Sequence, residues 1–166
     1  TVKNECRPPN GFGHPERNLV TYEFPHTPFT TETLTWIWSD GPGAPGPHPD
    51  LELPGGEALH DQGAMFMGET GRLYLPHFEL LPRLIEDGRY VDFDVAPFQL
   101  GEPVRDYESE GKKHYHEFVE ACLGRATCSA PFSYSARLTE TILLGVIAGR
   151  FPGRTLNWDA ETARFR

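Results

Sequence analysis

The chain is short of the residues that build disulfide frameworks and zinc sites. Its three cysteines, Cys6, Cys122 and Cys128, are odd in number and form no CxxC pair, so neither architecture is expected. It is also short of basic charge. Against 24 Asp and Glu stand 15 Lys and Arg, a formal net charge of −9. Phosphate backbones repel a chain of that sign, and no Lys/Arg stripe offsets it, so a nucleic-acid partner is not expected. No apolar run approaches the roughly 18 residues of a membrane span. The nucleotide cradles are missing too. No GxGxxG opens a βαβ unit, and there is no GxxxxGK[ST], so this chain is expected to bind no dinucleotide by itself. HExxH and GxSxG are absent. An initiator Met and a secretory signal are also lacking. The chain begins Thr1-Val2-Lys3-Asn4 and reads as a mature form or a cut-out domain, which leaves its compartment open.

What is present is a globular composition. Of 166 residues, 38% are hydrophobic and 23% charged, enough for one domain, 1–166, with its own core. The 17 glycines and 16 prolines predict long ordered loops. The chain is organised around its last third. Tyr115, Phe118, Val119, Cys122 and Leu123 recur at i, i+3, i+4, i+7 and i+8, an apolar helical stripe with Cys122 as a small core residue. Gly124 suits the helix stop. A second helix is predicted from about Arg137 to Arg150, with Ser135 or its loop as cap. Its middle, Ile142 to Ala148, is apolar nearly all round and should be buried on more than one side.

Upstream, the spacing predicts strands. Residues 1–17 read as an extended lead-in. Val20, Tyr22 and Phe24 alternate with Thr21 and Glu23, so Asn18 to Phe24 is a strand with one buried face. In Leu34 to Trp38, Leu34, Trp36 and Trp38 share one face and Thr35 and Ile37 the other. Residues 40–63 form the longest irregular stretch, which at this length is functional or disordered. Ala64 to Met67 and Arg72 to Leu75 bracket a tight turn at Gly68-Glu69-Thr70-Gly71. Leu80 to Ile85 is ambiguous. Arg89 to Val95 alternates as an edge strand, and Ala96 to Gly111 is a polar linker. Strands, then helices, then a closing Gly153-Arg154-Thr155-Leu156-Asn157-Trp158 strand give an α+β fold: a mostly antiparallel open sheet with helices packed on one face.

Few residues carry chemistry. His114 and His116 stand at i and i+2, which point to different helix faces, so they cannot grip one ion and no metal site is expected. His114 can instead hydrogen-bond a ligand at a cleft. His60 and Asp61 form a loop pair whose adjacency favours solvated polarity over acid–base work. Trp36 and Trp38 can stack on a sugar ring, but with Leu34 on the same side they read more as core or interface residues. Tyr134 precedes the predicted second helix, where its hydroxyl can reach a ligand. Glu117 and Glu120 read as a solvated face.

Three stretches resemble a known family. They are "LTWIWSDG" (Leu34 to Gly41), "GAMFMGETGRL" (Gly63 to Leu73), and the segment Cys128 to Asp159 containing "FSYSARLTETILLGVIAGRFPGRTLNWD". Together they resemble the C-terminal domain of the Gfo/Idh/MocA (glucose–fructose oxidoreductase/inositol dehydrogenase) family, in its bacterial branch. The resemblance implies a second, N-terminal Rossmann domain that holds NAD(P) and supplies the catalytic residues, none of which lies in this chain. It further implies that this chain lines a pocket for a sugar or cyclitol, with Trp36, Asp40, His114 and Tyr134 as candidate substrate contacts. A homo-oligomer through the open sheet face is implied, with Trp36 and Trp38 as the side chains to be hidden. The family's Asn-Phe-Asp-Tyr appears as Pro131-Phe132-Ser133-Tyr134, losing a carboxylate, and its Ser-Gly-Pro-Leu-Thr-Glu appears as Ser135-Ala136-Arg137-Leu138-Thr139-Glu140. Two alternatives stand beside this: a domain of an NAD-dependent glycoside-cleaving relative, or a stand-alone binding or oligomerisation module.

Overall fold

The computed structural model describes residues 1–76, 81–94, 97 and 107–166. In chain order its strands are β1 Val2–Cys6, β2 Asn18–Pro25, β3 Thr33–Asp40, β4 Ala64–Met67, β5 Arg72–Leu75, β6 Arg83–Glu86, β7 Arg89–Val91, β8 Thr155–Leu156, β9 Trp158–Asp159 and β10 Arg164–Phe165. The helices are α1 Tyr107–Cys122 and α2 Phe132–Ala148. Every strand pairing is antiparallel, and the fold is α+β. The chain divides into two compact units, Thr1–Gly46 with Ala130–Arg166, and Pro47–Ser129. Each has its own hydrophobic cluster.

In the first unit the sheet order is β3-β2-β1-β8. The expected lead-in is in part a central strand. Val2 and Asn4 are buried while Glu5 is exposed, a period-2 pattern with a single apolar residue to announce it. β2 behaves as its alternation predicts, with Val20 and Tyr22 buried. Pairing sets Val20 opposite Trp38, Tyr22 opposite Trp36 and Phe24 opposite Leu34. Directly opposed residues share a face. Trp36 therefore sides with the face that packs on α2, within the cluster of Val2, Val20, Tyr22, Leu144 and Ala148. This corrects the expectation that the two tryptophans mark the open face, which carries Lys3, Glu5, Thr21, Glu23, Thr35 and Ile37 instead.

The helix α2 begins five residues before Arg137. Pro131 precedes it in extended conformation, and no side chain caps it. Ser135 lies inside, and its hydroxyl donates back to the Pro131 carbonyl at 3.1 Å. Only one side is buried, at Leu144, Gly145 and Ala148, because this stripe alone meets the sheet. Leu143, Val146 and Ile147 are exposed, against the expectation of burial on several sides. The contact is close. A Cβ at Gly145 would overlap the Tyr22 hydroxyl and lie 3.2 Å from both Tyr22 Cζ and Val20 Cγ1. Burial pushes the Tyr22 phenol up.

The second unit holds the sheet β4-β5-β6-β7. β4 and β5 have the predicted bounds. The ambiguous stretch resolves into β6 from Arg83, and Leu80 lies outside the described residues. β7 ends at Val91, and the Val95 end of that expected strand is likewise outside. Of the expected linker, Tyr107 to Gly111 is helical. From Pro47 on, the long irregular stretch is an ordered strap over this sheet. Leu53 is buried in a cluster with Tyr74 and Ile85. Arg72 donates to the Asp50 carbonyl, and the Tyr74 hydroxyl accepts from the His60 N–H at 2.9 Å. The predicted stripe on α1 exists, but Tyr115, Phe118, Val119 and Leu123 are exposed, as is Cys122. Gly124, in left-handed conformation at φ 72°, closes that helix as predicted.

Gly145→Ala tests the close approach. Alanine's helix propensity alone would add roughly 1 kcal/mol, while overpacking a formed core costs about 1–3 kcal/mol. Urea unfolding is expected to show a net loss, partly recovered in the Gly145→Ala/Tyr22→Phe double variant, where the overlapping hydroxyl is gone. A single variant as stable as the parent chain contradicts the packing described.

Candidate functional site

Three of the four candidate contacts lie in the first unit, and two of them are consumed by its architecture. Trp36 is half-buried. It stacks on Tyr22 with ring centroids 4.8 Å apart and meets Trp38 edge-on at 6.0 Å. Tyr22 thereby takes one face of the ring, and Trp38 crowds it at right angles, which leaves less of it free for a sugar. Asp40 ends β3 with both carboxylate oxygens occupied. Oδ1 accepts from Asn18 Nδ2 and Oδ2 from Trp38 Nε1, each at 2.8 Å. The chain of bonds continues inward. Asn18 Oδ1 accepts from Asn4 Nδ2 at 3.1 Å, and the same Asn4 nitrogen donates to the Gly145 carbonyl at 3.2 Å. Asp40 thus anchors a polar line from the end of β3 to α2. Its carboxylate fixes the direction of each amide, because Asn18 must present its NH₂ to the charge.

Tyr134 is 63% exposed in the first turn of α2, so its ring is open to a ligand. His114 belongs to the second unit and is exposed on α1, edge-on to Tyr115 at 5.7 Å. His116 is exposed as well, and among the described residues no group of His, Cys, Asp and Glu could hold a metal ion. His60 and Asp61 line a depression of about 450 Å³ with Ala58, Leu59 and Gln62. A second, of about 650 Å³, is lined by Asn157, Trp158, Asp159, Ala160, Glu161 and Arg166. Neither includes any of the four candidates.

Several charged groups have roles that local pattern does not reveal. Glu57 of the strap accepts from Arg83 Nη1 at 2.7 and 3.0 Å and from the Tyr90 hydroxyl at 2.7 Å. The Arg83 guanidinium lies 3.5 Å over the Tyr90 ring. The Arg83 hydrogen bond holds the Glu57 carboxyl below its usual range, and burial together with the Glu57 bond pushes the Tyr90 phenol up to about 12. Glu117, expected as a solvated side chain, instead clamps the loop after α1. It accepts from the Ser129 N–H, which is the main reason its carboxyl is held low. Glu140 accepts from Trp158 Nε1 at 2.7 Å and pairs with Arg137 at 3.0 Å. Arg166 pairs with Asp159 and holds that carboxyl at about 2.

Comparison with protein-family models, with curated proteins and with solved structures finds no match. The site therefore rests on these residues alone.

The Glu57 cluster predicts a pH dependence of known sign. The folded-state pKa of Tyr90 lies above the ordinary value of 10.0, so its stabilising contribution is complete below that value and is lost as pH rises through about 12. Glu57 runs the other way. Its contribution is present above the ordinary carboxylate range and is lost as pH falls through its lowered value. In ultraviolet difference titration, Glu57→Gln should bring the highest tyrosine ionisation part of the way down, since burial remains the larger cause. Tyr90→Phe should remove that ionisation. If Glu57→Gln leaves the curve unchanged, Glu57 does not hold Tyr90.

Proposed function

We propose that this chain is the substrate-binding and assembly domain of a Gfo/Idh/MocA-like oxidoreductase acting on a sugar or cyclitol. The whole protein moves a hydride between nicotinamide and a ring carbinol carbon. The cofactor carries that chemistry, and this domain supplies orientation and part of the pocket wall. The observation that carries the reading is the segment Cys128 to Asp159. Its motif residues fall on α2, on the strand β8 that pairs with β1, and on Trp158, whose indole bonds Glu140 of α2. Leu144 and Ala148 of this segment lie in the buried cluster of the first unit, and Leu156 and Trp158 pack against it.

Within this reading Tyr134 in the first unit and His114 in the second each remain a candidate substrate contact, since each is exposed. Trp36 and Asp40 are the weaker candidates, because their ring and carboxylate are engaged by Tyr22, Asn18 and Trp38. Pro131 and Ser133 stand where the family has other residues, so the substrate contacts are expected to differ from the family's usual set.

The reading requires a dinucleotide-binding fold encoded upstream of Thr1. A protein comprising that region and this chain should reduce NAD⁺ or NADP⁺ with a cyclic polyol. The 166-residue chain by itself should give no heat with either nucleotide in calorimetric titration. Micromolar binding by the chain alone, or a gene with no such upstream fold, overturns the proposal.

A further inference from the structure

Residues 7–17 join β1 to β2, whose ends are paired, Cys6 with Asn18, so this loop is tied on both sides. Within it stand Asn10 and Gly11, both exposed. The Asn10 side chain folds over its own backbone. Its Oδ1 accepts from the Phe12 N–H at 2.9 Å and from the Gly13 N–H at 3.0 Å, an Asx turn with a second donor. The bond from Phe12 closes a ring of atoms that contains both Asn10 Cγ and the Gly11 nitrogen, which limits how far apart the two can move. Glycine has no side chain to crowd that nitrogen, and nothing crowds it from outside. A Cβ at Gly11 or at Gly13 would meet no atom within 4 Å. Asparagine recurs at Asn4, Asn18 and Asn157, but there the next residues are Glu5, Leu19 and Trp158, and Asn4 is buried.

From this geometry we infer that Asn10 is a self-modification site, where the fold promotes loss of the side-chain amide. The Gly11 nitrogen gives its proton to a solvent base and attacks Asn10 Cγ. The new N–C bond closes a succinimide ring, and the carbonyl electron pair moves onto Oδ1. That oxygen is the one already held by the Phe12 and Gly13 N–H groups, so two donors stand where the negative charge develops, as in an oxyanion hole. The tetrahedral centre then collapses. The bond to Nδ2 breaks, and that nitrogen takes a proton from water and leaves as ammonia. Water opens the ring at the side-chain carbonyl to give aspartate, or at the main-chain carbonyl to give isoaspartate. Water is the sole co-reactant, and the exposed loop is open to it. The product carries one negative charge more than the chain's −9. An aspartate formed there keeps both N–H bonds, now charge-assisted, so the turn survives the change. The site does not depend on the oxidoreductase reading.

The test is mass spectrometry with peptide mapping on the 166-residue chain held at mildly alkaline pH, beside the same chain unfolded in guanidinium chloride. The expected result is conversion of Asn10 to aspartate and isoaspartate with release of ammonia, several-fold faster in the folded chain. Asn4, Asn18 and Asn157 should be unchanged over the same interval. Gly13→Pro removes one of the two donors. It should slow the folded reaction several-fold, less than the roughly hundredfold loss seen when a buried oxyanion hole loses a donor, and should make little difference in guanidinium chloride. The comparison of folded with unfolded parent chain stands whether or not that variant folds. The inference falls if the folded chain reacts no faster than the unfolded one, if a folded Gly13→Pro variant keeps the parent rate, or if another asparagine reacts first.

Discussion

The first unit depends on how closely α2 can approach the sheet. Gly145 faces the Tyr22 hydroxyl with no room for a side chain, so helix and sheet touch backbone to ring. That spacing brings the Gly145 carbonyl within reach of Asn4, a polar side chain 2% exposed. Burying an amide is costly unless it is bonded, and Asn4 Nδ2 finds two acceptors. Its Oδ1 has no partner among the described residues, a burden of about 1–3 kcal/mol on usual reckoning. The unit tolerates that burden because the same amide ties three elements together: β1 holds it, α2 receives it, and through Asn18 it reaches the end of β3 at Asp40. The shape of the contact and the polarity of this line reinforce each other.

The second unit solves a different problem. Its strands are short, and three or four residues bury little apolar area. The strap makes up the deficit by delivering Leu53 to Tyr74 and Ile85. Its prolines assist this. Pro49 and Pro54 each open a 3-10 turn, where a fixed φ lowers the entropy lost on ordering. Glu57 then pins the far side through Arg83 and Tyr90. At the surface a single ion pair contributes little, so the anchor is the combination of a buried leucine, a guanidinium seated on a ring and a bidentate carboxylate.

Period and turn chemistry made the hairpin at β4–β5, the alternation of β2 and the stop at Gly124 legible in the sequence, because each is a local preference that tertiary contact does not override. β1 is hidden because its inward residues are a valine, an asparagine and a cysteine, and a buried asparagine looks polar until its acceptors are known. The start of α2 is obscured because Ser135 resembles a cap, while the chain enters from Pro131 with no side-chain cap at all. Among the candidate contacts, residue type pointed to Trp36 and Asp40, but type cannot say whether a ring face or a carboxylate is already spent. Glu57, Arg83 and Tyr90 lie 26 and 33 positions apart, a separation at which no local pattern survives.

The two helices carry apolar residues that their own units do not cover. On α2, Leu138, Ile142 and Val146 recur at four-residue spacing on a side away from the buried stripe, and each is at least 40% exposed. A helix apolar on both sides belongs between two layers, and the sheet supplies only one. The opposite face of that sheet carries Lys3, Glu5 and Glu23, so the two sides of the unit make different demands: charged side chains are satisfied by water, and the exposed apolar side of α2 is satisfied only by a packed layer.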